Sequence, residues 1–100
     1  MTLQPRDRVL LLDGADAEAA ARAVTEGTVV VLASGDALYE LRRRLAAHEN
    51  VIVTPGDRAQ IPWQTAYFTL IVDPTGEPPT PEILRVLDPL TGRILQRLDE

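Results

Sequence analysis

Two apolar runs without a polar interruption, Val9-Leu10-Leu11-Leu12 and Thr28-Val29-Val30-Val31-Leu32-Ala33, constrain this chain more than any other feature. A strand that is apolar at consecutive positions must be covered on both faces, the condition of a central strand in a parallel sheet. Between the runs, Ala17, Ala20, Ala21 and Val24 recur at the i, i+3, i+4, i+7 spacing of one helical face within Asp16 to Glu26. Gly27 follows as a helix C-terminal residue would. After the second run, Ser34-Gly35-Asp36 reads as a turn and N-cap, and Leu38, Leu41 and Leu45 stripe one side of a second helix. Val51-Ile52-Val53 is a third strand, closed by Thr54-Pro55-Gly56-Asp57.

A loop with Pro62-Trp63 leads to a fourth apolar strand, Phe68 to Val72, ending at Asp73-Pro74. Asp73 to Pro81 holds four of the eight prolines and must be a loop. Thr80 is placed as an N-cap, Pro81 as the first helical residue and Glu82 in the first turn, with Ile83, Val86 and Leu87 facing the core. Asp88-Pro89 stops that helix, Arg93-Ile94-Leu95 forms a fifth strand, and Gln96 to Glu100 is a polar end.

Strands alternating with helices over short connections require right-handed crossovers. The chain is therefore predicted to be α/β, a Rossmann-like doubly wound, mostly parallel five-stranded sheet with helices on both faces. At 100 residues it is read as a single domain, residues 1–100.

Composition excludes several functions. Fifteen acidic against ten basic residues give a formal charge of −5, which repels nucleic acid backbones and anionic membranes. No Cys and a single His exclude disulfides, thiolate chemistry and the usual zinc sites, so no metal is expected. No apolar run approaches bilayer length, and a cytoplasmic protein is the simplest expectation. All ten basic residues are Arg, a bias that suggests either a GC-rich coding genome or a hot-adapted one, and a bacterial source is expected.

Residues 51 to 95 resemble class I S-adenosylmethionine-dependent methyltransferases. The resemblance rests on Gly56-Asp57, Ile61-Pro62, Phe68 to Val72, Arg85-Val86-Leu87-Asp88-Pro89 and Gly92-Arg93-Ile94-Leu95. The elements of residues 8 to 50 match the family's first two strand-helix units in order and spacing. The resemblance implies S-adenosylmethionine as a possible cofactor, bound along a rim containing Asp13, Gly14, Ala15, Ser34, Gly56, Asp57 and Asp73.

Departures from the family pattern fall on that same rim. Asp13, Ala15 and Ala17 stand where the family has the glycines that let backbone approach the cofactor. Leu32 stands where an acidic residue would bind the ribose hydroxyls, with Asp36 four residues late. Thr69 replaces an Asp in the fourth strand, and Pro89-Leu90-Thr91-Gly92 replaces a Pro-Gly-Gly turn. Asp57 matches the carboxylate that would accept the adenine amino group, but with its partners missing the preferred reading is a cap of the turn after the third strand. Asp73-Pro74 lacks the second Pro and the aromatic residue of amino-methylating relatives.

Other candidates have simpler readings. His48 suits a helix C-terminus and has no evident nucleophile or orienting carboxylate, so no catalytic residue is assigned. Arg42-Arg43-Arg44 reads as a solvated helix face beside Glu40 and Glu49. Trp63, Tyr67 and Phe68 read as core or interface rather than as a pocket wall.

The expected function is that of a non-catalytic, methyltransferase-like domain acting as a homodimeric binding or regulatory module, with no cofactor. The alternatives are a minimal methyltransferase using S-adenosylmethionine and a sensor of an adenine-containing small molecule. The family's catalytic domains continue past the fifth strand, so an uncovered edge is expected here, closed by a second copy. Ile83, Val86, Leu87, Ile94 and Leu95 are the expected dimer interface.

Overall fold

The computed structural model describes residues 3–99. Five strands, β1 (Arg8–Leu11), β2 (Thr28–Ala33), β3 (Val51–Pro55), β4 (Leu70–Val72) and β5 (Arg93–Leu95), form one sheet in the order β3-β2-β1-β4-β5. Every pairing is parallel. The helices are α1 (Ala17–Ala23), α2 (Gly35–Arg44) and α3 (Pro81–Val86). The order reverses at β1, whose neighbours β2 and β4 are reached by crossovers in opposite directions. A doubly wound fold places its ligand crevice at such a point, beyond the carboxyl ends of the strands.

The period of two along each strand divides the core into two layers. Val9, Leu11, Val29, Val31, Val53, Leu70 and Val72 pack with Ala17, Ala20, Val24, Leu41 and Leu45 beneath α1 and α2. Leu10, Val30, Leu32 and Ile71 pack with Ile61, Phe68, Ile83 and Val86 on the α3 side. The uninterrupted apolar runs are thus explained, since each face of β1 and β2 is covered. Helices do lie on both faces, but α3 is the only helix of its layer among the described residues. The long β3 to β4 crossover, residues 56–69, covers the rest without forming one.

Several boundaries differ from the sequence reading for identifiable reasons. Helix α1 ends at Ala23 rather than Glu26, because the chain turns to bond the segment before β1: Glu26 N–H donates to the Pro5 carbonyl and Thr28 N–H to that of Asp7. Gly27 is needed there for space, as a Cβ would lie 2.0 Å from the Asp7 carbonyl oxygen. Phe68 and Thr69 precede β4 instead of belonging to it. Phe68 N–H donates to the Val86 carbonyl and its own carbonyl accepts from Asp88 N–H, so this residue is tied to the exit of α3. Thr80 does cap α3, accepting from Ile83 N–H at 3.1 Å, with Pro81 at the first position.

The polar end holds a core residue. Leu98 is 4% exposed and packs in the α1 layer with Val9, Leu70 and Val72.

Candidate functional site

The carboxyl ends of the parallel strands form the rim on which a doubly wound fold binds ligands. All seven candidate residues stand there, on loops leaving four different strands. Asp13, Gly14 and Ala15 follow β1, Ser34 follows β2, Gly56 and Asp57 follow β3, and Asp73 follows β4. The topology therefore assembles the rim that the resemblance implies.

Most of these positions are tied to the scaffold by bonds or close packing. After β1, Asp13 folds its carboxylate back on its own turn and accepts Ala15 N–H at 3.0 Å. Gly14 is pressed against α2: a Cβ there would lie 2.4 Å from Leu41 Cδ2, and its carbonyl accepts Arg44 Nη2 at 2.8 Å. Ala15 is exposed, and Ala17, the first residue of α1, is fully buried. Ser34 is extended and makes no side-chain cap bond to α2. Leu32, at the ribose-binding position of the resemblance, is 3% exposed in the α3 layer.

After β3, Gly56 is closely enclosed by Gln60, Pro62 and Leu32, with a would-be Cβ 2.9 Å from the Gln60 carbonyl. Asp57 is exposed and caps its own loop, accepting Ala59 N–H at 2.8 Å and Gln60 N–H at 3.0 Å through one oxygen. This is the turn-capping role that its sequence context also allowed.

Asp73 is the one buried charged side chain among the described residues, at 4% exposure. Arg58 donates to its Oδ2 from Nη2 at 2.8 Å and from Nε at 3.0 Å. Thr75 donates to Oδ1 from its hydroxyl at 2.8 Å and its N–H at 3.2 Å. Burial pushes the Asp73 carboxyl up, but the Arg58 and Thr75 hydrogen bonds outweigh it and hold the group below its ordinary value. Arg58 also binds the Glu77 carboxylate at 3.1 Å and the Pro78 carbonyl at 2.9 Å, and its own carbonyl accepts the Thr80 hydroxyl. One arginine thereby straps the loop after β3 to the loop after β4. Sequence reading passed over Arg58; the only signal available was a lone Arg one residue past Gly-Asp.

A second clamp fixes the crossover. Glu82 accepts Arg85 Nε at 2.6 Å, Arg85 Nη2 at 3.0 Å and Ile61 N–H at 3.1 Å. These bonds, Arg85 first, lower its carboxyl from an ordinary 4.5 to about 2. Arg85 further donates to the carbonyls of Ile61 and Trp63. The aromatic residues are packing, as expected: Tyr67 and Phe68 meet edge-on at 5.1 Å and Trp63 lies 6.0 Å from Phe68. A cleft of about 310 Å³ remains beside this clamp, lined by Pro55, Gly56, Gln60, Ile61, Pro62 and Glu82.

The remaining candidates are scaffold. His48 lies in the turn past α2, where its N–H donates to Leu45 and its carbonyl accepts from Val51. Arg42 donates to the Val53 carbonyl, and Arg44 pairs with Glu18 at 3.1 Å, so two of the three arginines bind neighbouring elements rather than only solvent. Among the described residues no three His, Asp or Glu side chains converge on a possible metal position, and no helix is long and apolar enough to cross a membrane.

Ile83 and Val86 are fully buried against the sheet and have no surface to offer a second copy. Their side chains point inward because α3 lays this stripe on Leu10 and Ile71. The outward residues of that region are Leu84 and Leu90, which the expected interface omitted.

No family model and no curated protein sequence matches the chain. Solved structures do. It superposes on a SAM dependent methyltransferase from Aquifex aeolicus with a TM-score of 0.75 at 17% identity, over 88% of this chain and 54% of that one. A putative sarcosine dimethylglycine methyltransferase from Galdieria sulphuraria gives 0.66 at 19% identity, over 88% and 38%. A putative methyltransferase from Bacillus halodurans gives 0.64 at 23% identity, over 86% and 42%. The chain thus spans about half the length of these structures or less. The chain shares the parallel, Rossmann-like α/β fold of these methyltransferase structures.

Proposed function

We propose that this domain acts as a binding or regulatory module and does not transfer methyl groups. The observation that carries this reading is the state of the rim, where most of the positions that would serve a nucleoside cofactor are packed against the scaffold or bonded to it. Leu41 occupies the space beside Gly14, Leu32 is sunk in the core, and Asp13 and Asp57 cap their own turns. Asp73 is latched by Arg58. These residues do not fit S-adenosylmethionine bound along the rim, and no catalytic step is derived through it. Calorimetric titration with S-adenosylmethionine and S-adenosylhomocysteine tests the reading. No saturable heat is expected from either, and micromolar binding of either would overturn it.

A second reading, a sensor of an adenine-containing molecule, is favoured by the cleft beside Gly56. Its volume, about 310 Å³, is at the low end for small-molecule sites. Silence from both sulfur compounds together with heat from adenosine nucleotides would favour this alternative.

A further inference from the structure

The two edges of the sheet are finished differently. In a parallel ladder alternate residues direct both amide groups to the neighbouring strand and the others direct theirs away. At the β3 edge the outward residues are Val51, Val53 and Pro55, and in each one outward group is already bonded or missing. Val51 N–H donates to the His48 carbonyl, the Val53 carbonyl accepts Arg42 Nε at 3.2 Å, and Pro55 has no N–H. Such partial blocking disfavours the addition of a further strand. At the β5 edge Arg93 N–H donates to Thr69 and the Leu95 carbonyl accepts from Asp73 N–H, so both residues face β4. Ile94 between them turns its N–H and carbonyl outward.

We propose that two copies of the chain join through β5, antiparallel, across a two-fold axis beside Ile94, doubling the five-stranded sheet. The occupant is fixed by complementarity. One outward residue with one donor and one acceptor is satisfied by an identical residue opposite it, which is the hydrogen-bonded pair of an antiparallel ladder. That pairing sets Arg93 against the partner's Leu95 and keeps the arginines apart. Two hydrogen bonds contribute little net of desolvation, so apolar burial must supply the rest. The two-fold operation keeps both α3 helices on one face, side by side. There Leu84 is 56% exposed and Leu90, in the turn between α3 and β5, is 92% exposed. Removing these leucines from water is the apolar contribution available on this face. A contact of standard size needs about 800 Å² per copy, roughly a seventh of the 5717 Å² that the chain exposes. The proposal is independent of how the crevice is read.

Sedimentation equilibrium over a wide concentration range tests it, with hydrogen exchange at Ile94 as a second readout. The expected result is a species of twice the 11.0 kDa chain mass, with Ile94 exchange slowing as concentration rises. Leu84→Arg with Leu90→Arg changes only exposed side chains, and should weaken the dimer at least about a hundredfold while the circular dichroism spectrum is unchanged. A monomer at millimolar concentration, a dimer indifferent to the double substitution, or Ile94 exchange independent of concentration would each overturn the proposal.

Discussion

Arg58 places two hydrogen bonds on a single oxygen of Asp73, 2.8 and 3.0 Å long, and so joins the loops that leave β3 and β4. Those strands are separated in the sheet by β2 and β1. A side chain near the middle of the sequence therefore bridges the loops at the carboxyl end of the sheet.

Removing the cation leaves a buried carboxylate without its partner. Arg58→Met is expected to lower the unfolding free energy, measured by urea denaturation at neutral pH. Adding Asp73→Asn should recover part of that loss, because a neutral amide is far cheaper to bury. Equal stability of the single variant and the parent would show that the strap contributes nothing.

Acid should loosen the clamp on the crossover. The folded state holds Glu82 at about 2 against an ordinary 4.5, so the unfolded chain binds its proton first as the pH falls. The stabilisation from this group is complete above about 4.5 and is lost as the pH drops toward about 2. Asp73 and Asp88 are also lowered and act in the same direction. In Glu82→Gln the fall in stability between about pH 7 and about pH 3 should be shallower than in the parent. Parallel acid limbs would contradict the assignment.

Leu98 closes the α1 layer, and Leu98→Ala is expected to cost about 2–4 kcal/mol. Leu90→Ala, at a position 92% exposed, should change the stability of the monomer by less than about 0.5 kcal/mol. Thermal unfolding of the two variants side by side distinguishes them.

Ala66 has φ +58°, in the left-handed region, where its N–H reaches the Arg85 carbonyl at 2.8 Å. A Cβ is strained in that conformation. Ala66→Gly should therefore raise stability by about 0.5–1 kcal/mol despite glycine's greater unfolded entropy, and a loss in chemical denaturation would contradict this.

What was legible in the sequence was whatever depended on periodicity. Val9 to Leu12 and Thr28 to Ala33 gave buried strands, Ala17, Ala20, Ala21 and Val24 gave a helix face, and Thr80-Pro81 gave a helix start, because local spacing carries each signal. Long-range bonds were invisible. Helix α1 stops early because Glu26 bonds Pro5, and Phe68 leaves β4 because Val86 and Asp88 take its amide groups. Arg58 and Asp73 are 15 residues apart with nothing between them to announce their pairing. Leu98 was hidden by its polar neighbours, although a lone leucine in such a segment was the one available hint. Leu84 was overlooked because apolar residues on α3 were assigned to one function, whereas the helix divides them between core and surface.

The central claim is that the rim after β1, β2, β3 and β4 is closed to S-adenosylmethionine. Its most direct test is to titrate the compound into isotopically labelled protein and follow the backbone amides of Gly14, Ala15, Ser34, Gly56, Asp57 and Asp73. The account predicts resonances that stay in place up to millimolar compound. Saturable shifts confined to these six amides would contradict it.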